Sequence, residues 1–231
     1  GTSYTATGLS STTRYFFRVS ASNEASQEGQ SSFASTTVTL PARVRNVVAT
    51  TIDTTKIGLT WNDVSGLRSH FRIYRGTDST SVAFIDTTSS TSYTNVGLAT
   101  ATKYFYRVSA VNTISGEGVK SYADSALTLP SKVRNLASSA IDSSQIGLTW
   151  NAVSGTINHY TIYQGTDSTT LSSIGSTSGT SYTATGLSST TRYFFRISAS
   201  NEATQEGQSS FASTTVTHAS QVQHLIASTI D

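Results

Sequence analysis

The 231-residue chain has no cysteine, no methionine, only two prolines and only 12% charged residues. Without cysteine there is neither a disulfide framework nor a thiolate metal site, so any small domain in it must stand on an apolar core alone. No stretch approaches the roughly 18 consecutive apolar residues of a membrane-spanning helix. A formal charge of +2, spread over scattered residues with no run of one sign, offers no patch for nucleic acid or an anionic membrane. None of the asparagines begins an Asn-x-Ser/Thr glycosylation acceptor. What the chain does have is Ser and Thr, 81 of the 231 residues, a balance that suits solvated strand faces and turns in a secreted, non-catalytic protein.

It also has repetition. Residues 1–39 reappear at 179–217 with 37 of 39 positions identical, and residues 90–128, halfway between, match the first copy at 20 of 39. The period is 89 residues, carried by Tyr4, Tyr93 and Tyr182 and by Tyr15, Tyr104 and Tyr193. A period of this size describes an array of one small domain, with two module types alternating. It places a partial module of three last strands at 1–40, complete modules at 41–129 and 130–218, and the first strand of another at 219–231. The sequence thus reads as an excerpt from a longer repetitive protein.

Within each module the hydrophobic period is two. Ile57, Leu59 and Trp61 alternate with polar residues or glycine, as do Ile146, Leu148 and Trp150, and the same alternation runs through Tyr15-Phe17-Val19, Tyr104-Tyr106-Val108 and Tyr193-Phe195-Ile197. Gly-Thr-Asp-Ser, Ser-Gly and Glu-Gly clusters separate these runs, and no segment has helical periodicity. About seven short strands per module predict an all-β protein of tandem antiparallel sandwiches.

The run Pro41-Ala42-Arg43-Val44-Arg45-Asn46, then Ile57 to Trp61, Phe71 to Arg75, Gly97-Leu98, Tyr104 to Asn112 and Gly116-Glu117-Gly118, repeated with Trp150, Tyr160, Ile162, Leu187, Tyr193 and Asn201, resembles the fibronectin type III module. The resemblance covers the whole chain and implies seven-stranded, immunoglobulin-like sandwiches. It implies that Trp61 and Trp150 pack on Phe71 and Tyr160. It also makes Tyr15, Tyr104 and Tyr193, each six residues after Leu9, Leu98 or Leu187, the tyrosine-corner residues, with rings in the core and hydroxyls on backbone partners. Two departures are visible: Asn62-Asp63-Val64 and Asn151-Ala152-Val153 follow the tryptophans where prolines are frequent, and Ala219 stands where Pro41 and Pro130 stood. Integrin binding through Arg-Gly-Asp does not carry over, because the nearest string, Arg75-Gly76-Thr77-Asp78, has the wrong order and follows the third strand.

Catalytic and metal chemistry finds little footing, and no cofactor is expected. His70 and His159 are equivalent residues of different modules, and His218 with His224 read as a solvated pair rather than metal ligands. Glu24 with Glu28, and Glu202 with Glu206, lie in polar turns with no apolar wall to raise a carboxyl pKa. Asp78 and Asp167, each in Gly-Thr-Asp-Ser-Thr, read as turn caps, since calcium demands six to eight oxygens.

The alternation leaves another set of residues outside. If Tyr15, Phe17 and Val19 face inward, then Phe16 and Arg18 face out, with Phe105 and Arg107, Phe194 and Arg196 in the same place, joined on adjoining strands by Arg72, Tyr74, Tyr163, Phe33, Tyr122 and Phe211. Such a stripe of aromatics and arginines serves either sheet stiffness or lateral contact with other copies, neighbouring modules or surface glycans. Junctions such as Leu129-Pro130-Ser131-Lys132 carry no Gly/Ser tether, so length follows copy number. The expected role is a structural segment, stalk or fibre body, of an extracellular and microbial surface protein or filament. The rivals are a spacer array in a secreted polysaccharide-degrading enzyme and a ligand-binding adhesin.

Overall fold

The structure is a computed structural model and describes residues 2–221. His224 and most of the further strand expected at 219–231 lie outside the described residues. Among the described residues there is no helix, and the strands pair antiparallel.

Alternation becomes burial directly. In β4 (Ile57–Thr60) and β12 (Ile146–Thr149) the side chains of Ile57, Leu59, Ile146 and Leu148 are buried while Thr60 and Thr149 are exposed. Strands β3 (Val48–Thr51), β4 and β7 (Ser92–Asn95) form one sheet in that order. A second sheet has the order β10-β8-β5-β6, from β5 (His70–Gly76), β6 (Ala83–Thr88), β8 (Lys103–Asn112) and β10 (Asp124–Leu127), with the two-residue β9 (Gly116–Glu117) also paired to β8. The next repeat reproduces this as β11 (Ala137–Ala140), β12 and β15 (Ser181–Ala184) in one sheet, and β14 (Ser172–Thr177), β13 (Ile157–Gly165), β16 (Arg192–Asn201) and β17 (Ser213–Val216) in the other.

Each core is built on its tryptophan. Trp61 meets Phe71 edge-on with ring centroids 5.3 Å apart, and Trp150 meets Tyr160 at 5.5 Å. Around Trp150 gather Ile146, Leu148, Ile162, Leu187, Tyr193, Phe195 and Ile197, all buried. Burial of each large side chain contributes about 1.5–3 kcal/mol, which accounts for sandwiches that need no cystine. The tyrosine corners form as well: the Ser188 amide donates to Tyr193 Oη at 2.9 Å, and the Ser10 amide to Tyr15 Oη at 2.8 Å. Leu98, Tyr104, Leu187 and Tyr193 are buried, whereas Leu9 is 36% exposed and Tyr15 only half-buried. The expectation of core positions for Leu9 and Tyr15 is corrected on this point, for a physical reason. Their segment contributes only β1 (Arg14–Phe17) and β2 (Ser35–Val38), a two-stranded sheet with no second sheet to close over the rings.

By contact density the chain falls into two compact units. Among the described residues, one comprises residues 2–51 with Ile57–Val96 and Lys103–Ala126; the other comprises Ile52–Lys56, Gly97–Thr102 and residues 127–221. Inside the second unit, the turn around Ala101 meets the loop before β13. The Thr156 amide donates to the Ala101 carbonyl at 2.9 Å and Thr100 Oγ1 to the Ser154 carbonyl at 3.3 Å. Gly155 has φ 95°, and a Cβ there would stand 2.7 Å from the Ala101 Cβ and 2.8 Å from its carbonyl oxygen, so only glycine fits. Inside the first unit the equivalent turn and loop also meet, through a different bond, with Gly66 (φ 86°) against Thr12 and Thr12 Oγ1 3.4 Å from the Ser65 carbonyl. Thr12, Ala101 and Thr190 all hold the left-handed conformation, with φ 46°, 43° and 51°.

Candidate functional site

The outward face of the sheet β10-β8-β5-β6 is where the sequence places its aromatic and arginine stripe. Register sets Tyr74 opposite Arg107 and Arg72 opposite Ser109. Glu117, on β9, collects the donors of this face. Arg72 Nη1 reaches Glu117 Oε2 at 2.9 Å, Ser109 Oγ reaches Oε1 at 2.5 Å, and the Tyr74 hydroxyl donates to the same oxygen. Glu117 lies below the ordinary carboxylate range: burial, the largest influence, pushes it up, but the hydrogen bonds from Ser109, Tyr74 and Arg72 together outweigh it. Lys120 Nζ sits 3.8 Å from the Tyr74 ring centroid, Arg72 stacks over Phe84 at 5.6 Å, and Lys103 lies over Phe105 at 5.6 Å.

Tyr74 is accordingly 6% exposed, although it points away from the core; its expected place in an exposed stripe is corrected. The physical reason is its own neighbours, which cover the ring with a lysine, a second aromatic and a carboxylate. Phe105, Arg107 and Arg72 are half-buried, and Arg107 Nη2 donates to the Ser79 carbonyl at 3.0 Å. One repeat on, Tyr163 Oη donates to Glu206 at 2.8 Å, Ser198 Oγ donates to the same carboxylate, and Arg196 Nη2 donates to the Ser168 carbonyl at 3.3 Å. Phe194 and Arg196 are again half-buried. Phe16 and Arg18 are exposed.

Sequence reasoning missed the carboxylate of this face. Glu28, Glu117 and Glu206 each accept the hydroxyl of a serine eight residues earlier, Ser20, Ser109 and Ser198. The Ser-x7-Glu spacing in all three copies was the available signal, hidden because Glu28 and Glu206 sit in strings that read as solvated turns. Asp78 and Asp167 do cap turns: Asp78 accepts the Thr80 amide at 2.7 Å and hydroxyl at 2.6 Å, and Asp167 the Thr169 pair at 2.7 and 2.8 Å. Both carboxyls lie below their ordinary range, Asp78 first through the Thr80 hydroxyl and Asp167 first through the Thr169 amide. No group of three or more His, Asp and Glu side chains converges among the described residues.

Besides Phe16 on β1 and Arg18 just after it, the stripe residues that stay open lie just before the edge strands β2, β10 and β17. Phe33, Tyr122 and Phe211, one per repeat, are 100%, 78% and 82% exposed. Tyr122 borders an open groove of about 660 Å³ between segments 43–47 and 121–124, and Phe211 borders its counterpart of about 470 Å³ between 132–136 and 210–212.

Comparison with known proteins agrees with this architecture. The family profile of the fibronectin type III domain matches residues 42–123 and 131–216. Exoglucanase B of Cellulomonas fimi is 31% identical over 229 aligned residues, covering 87% of this chain but only 20% of that protein. A two-domain fibronectin type III segment of chicken tenascin superposes with a TM-score of 0.51 at 15% identity, covering 75% of this chain and 99% of that one.

Proposed function

The chain belongs to the fibronectin type III family, and from that membership we propose a non-catalytic role as a structural segment of an extracellular protein, a stalk or spacer assembled from tandem sandwiches. The observation that carries this reading is the repeated junction. The turn at Ala101 bonds the loop at 154–156, the turn at Thr12 meets Ser65 and Gly66 at the equivalent place through the Thr12 side chain, and a glycine of positive φ stands at each. A junction such as Leu129-Pro130-Ser131-Lys132, without a Gly/Ser tether, favours reach over flexibility. The partners required are neighbouring modules of the same chain. The self-paired stripe around Glu117 lends less support to lateral filament packing, since its donors and rings are already engaged.

A second reading, the spacer array of a secreted polysaccharide-degrading enzyme, is favoured by the 31% identity to Exoglucanase B. Deleting one 89-residue repeat from the full-length parent separates the two. A spacer in such an enzyme predicts unchanged turnover of soluble polysaccharide and a several-fold loss on insoluble polysaccharide. A stalk predicts a shorter surface projection by electron microscopy and no hydrolytic phenotype. Loss of turnover on both substrates would overturn the non-catalytic reading.

A further inference from the structure

We propose that the two edge grooves are binding sites for a carboxylated polysaccharide, each groove seating one stretch of the chain. The two grooves are built from equivalent residues 89 positions apart: Arg43 and Lys132, Arg45 and Arg134, Asn46 and Asn135, Tyr122 and Phe211. Apart from Asp124 at one end, neither bank belongs to a strand, so amides and carbonyls of irregular backbone border the groove along with the side chains.

Three features together define the ligand chemistry. The first is the ring. A cation fixes one face, Arg43 at 4.5 Å from the Tyr122 centroid and Lys132 at 3.5 Å from that of Phe211, while each aromatic residue remains about four-fifths exposed. An immobilised flat ring with its other face in water is a platform for the C–H face of a sugar, whose partial positive charge suits the negative π surface. The second is charge. Arg43, Arg45, Lys132 and Arg134 form no ion pair among the described residues. The second groove contains no carboxylate, and in the first the carboxylate of Asp124 is engaged by the Ala49 amide at 2.7 Å. Both grooves keep a net positive formal charge, larger in the second where no carboxylate offsets it, which calls for an anionic partner, and each holds a guanidinium, Arg45 or Arg134, able to pair a carboxylate bidentately. The third is multiplicity: two equivalent grooves in one chain let a polymer bind by avidity where each contact alone is weak. A ring without the charge would suit a neutral glucan, and the charge without the ring an acidic peptide; the combination selects an acidic sugar chain. This inference goes beyond the spacer reading and stands without it.

The test is affinity electrophoresis of the 231-residue chain in gels containing polygalacturonate, hydroxyethyl cellulose or poly-glutamate. Retardation is expected with polygalacturonate alone. The pair Tyr122→Ser with Phe211→Ser, and separately the pair Arg45→Gln with Arg134→Gln, should each weaken it about tenfold or more, the loss of roughly 1.4 kcal/mol. These side chains are exposed or lie at the groove rim, and an unchanged melting curve confirms that the variants fold. No retardation by polygalacturonate, equal retardation by poly-glutamate or by the neutral cellulose derivative, or full affinity in either variant pair overturns the proposal.

Discussion

Tyr106 donates its hydroxyl to Asn95 Oδ1 at 3.0 Å, and Arg75 Nη1 reaches the same oxygen at 3.1 Å, a polar triad set against the core. One repeat later the equivalent residues are Phe195, Ala184 and Gln164, so hydroxyl, carboxamide and guanidinium have been exchanged together. Removing one member strands the others, whereas removing the set does not. Tyr106→Phe is therefore expected to cost about 1–3 kcal/mol in urea unfolding, and combining it with Asn95→Ala and Arg75→Gln to recover most of that loss. Burial pushes the Tyr106 phenol well above its ordinary value, in keeping with a hydroxyl held protonated in the core. Glu117 is displaced the other way. A carboxyl lowered on folding stabilises the fold fully above its unfolded value of about 4.3 and loses that contribution as the pH falls through the lower folded value. Melting temperatures of the wild type and Glu117→Gln should thus converge as the pH is lowered from about 5 to about 3, and a gap that stays constant would remove Glu117 from the account.

At the scale of the element, β13, β14, β16 and β17 repeat the pairings of β5, β6, β8 and β10, and the turn at Ala101 locks onto the loop ahead of β13. Gly155→Val places a branched side chain against the Ala101 carbonyl at a φ that disfavours it. Hydrogen exchange is expected to show the Thr156 amide losing protection while the Ile162 and Ile197 amides keep theirs; equal loss everywhere would mean global destabilisation instead. The strands around Ile57, Ile146, Tyr104 and Tyr193 were legible in the sequence because period-two alternation of large apolar residues is a strong signal, and so were the tryptophan and tyrosine-corner packings. β14, Ser172-Ser173-Ile174-Gly175-Ser176-Thr177, carries almost no such signal. It is an edge strand paired only to β13 across a bulge, so its side chains meet solvent and register alone defines it. The stripe was legible as a parity but not as an environment: alternation gives the side on which Tyr74 emerges, and only the fold brings Lys120, Phe84 and Glu117 over it. The grooves were illegible for the same reason, since segments 43–47 and 121–124 are some 75 residues apart in the chain.

For the molecule as a whole, one repeat length keeps every residue's partners in register. An in-frame excision of residues 90–178, combined with Arg75→Gln, would join the first strands of one repeat to the last strands of another, so that the introduced glutamine, Ala184 and Phe195 come together as the matched set of the later repeat. Such a chain is expected to unfold cooperatively at a melting temperature within a few degrees of the parent's, while an excision about ten residues shorter should show no cooperative transition in calorimetry.

The near-identity of residues 1–39 and 179–217 gives the chain two candidate partners for one strand edge. β1 and β16 both contain Arg-Tyr-Phe-Phe, so β13 meets two strands whose sequences suit its edge. The correct one begins 27 residues beyond the end of β13, and the impostor ends 140 residues before its start. Because chain-closure entropy grows with separation, the near strand has the advantage for that edge whenever both strands are available, as in refolding of the whole chain.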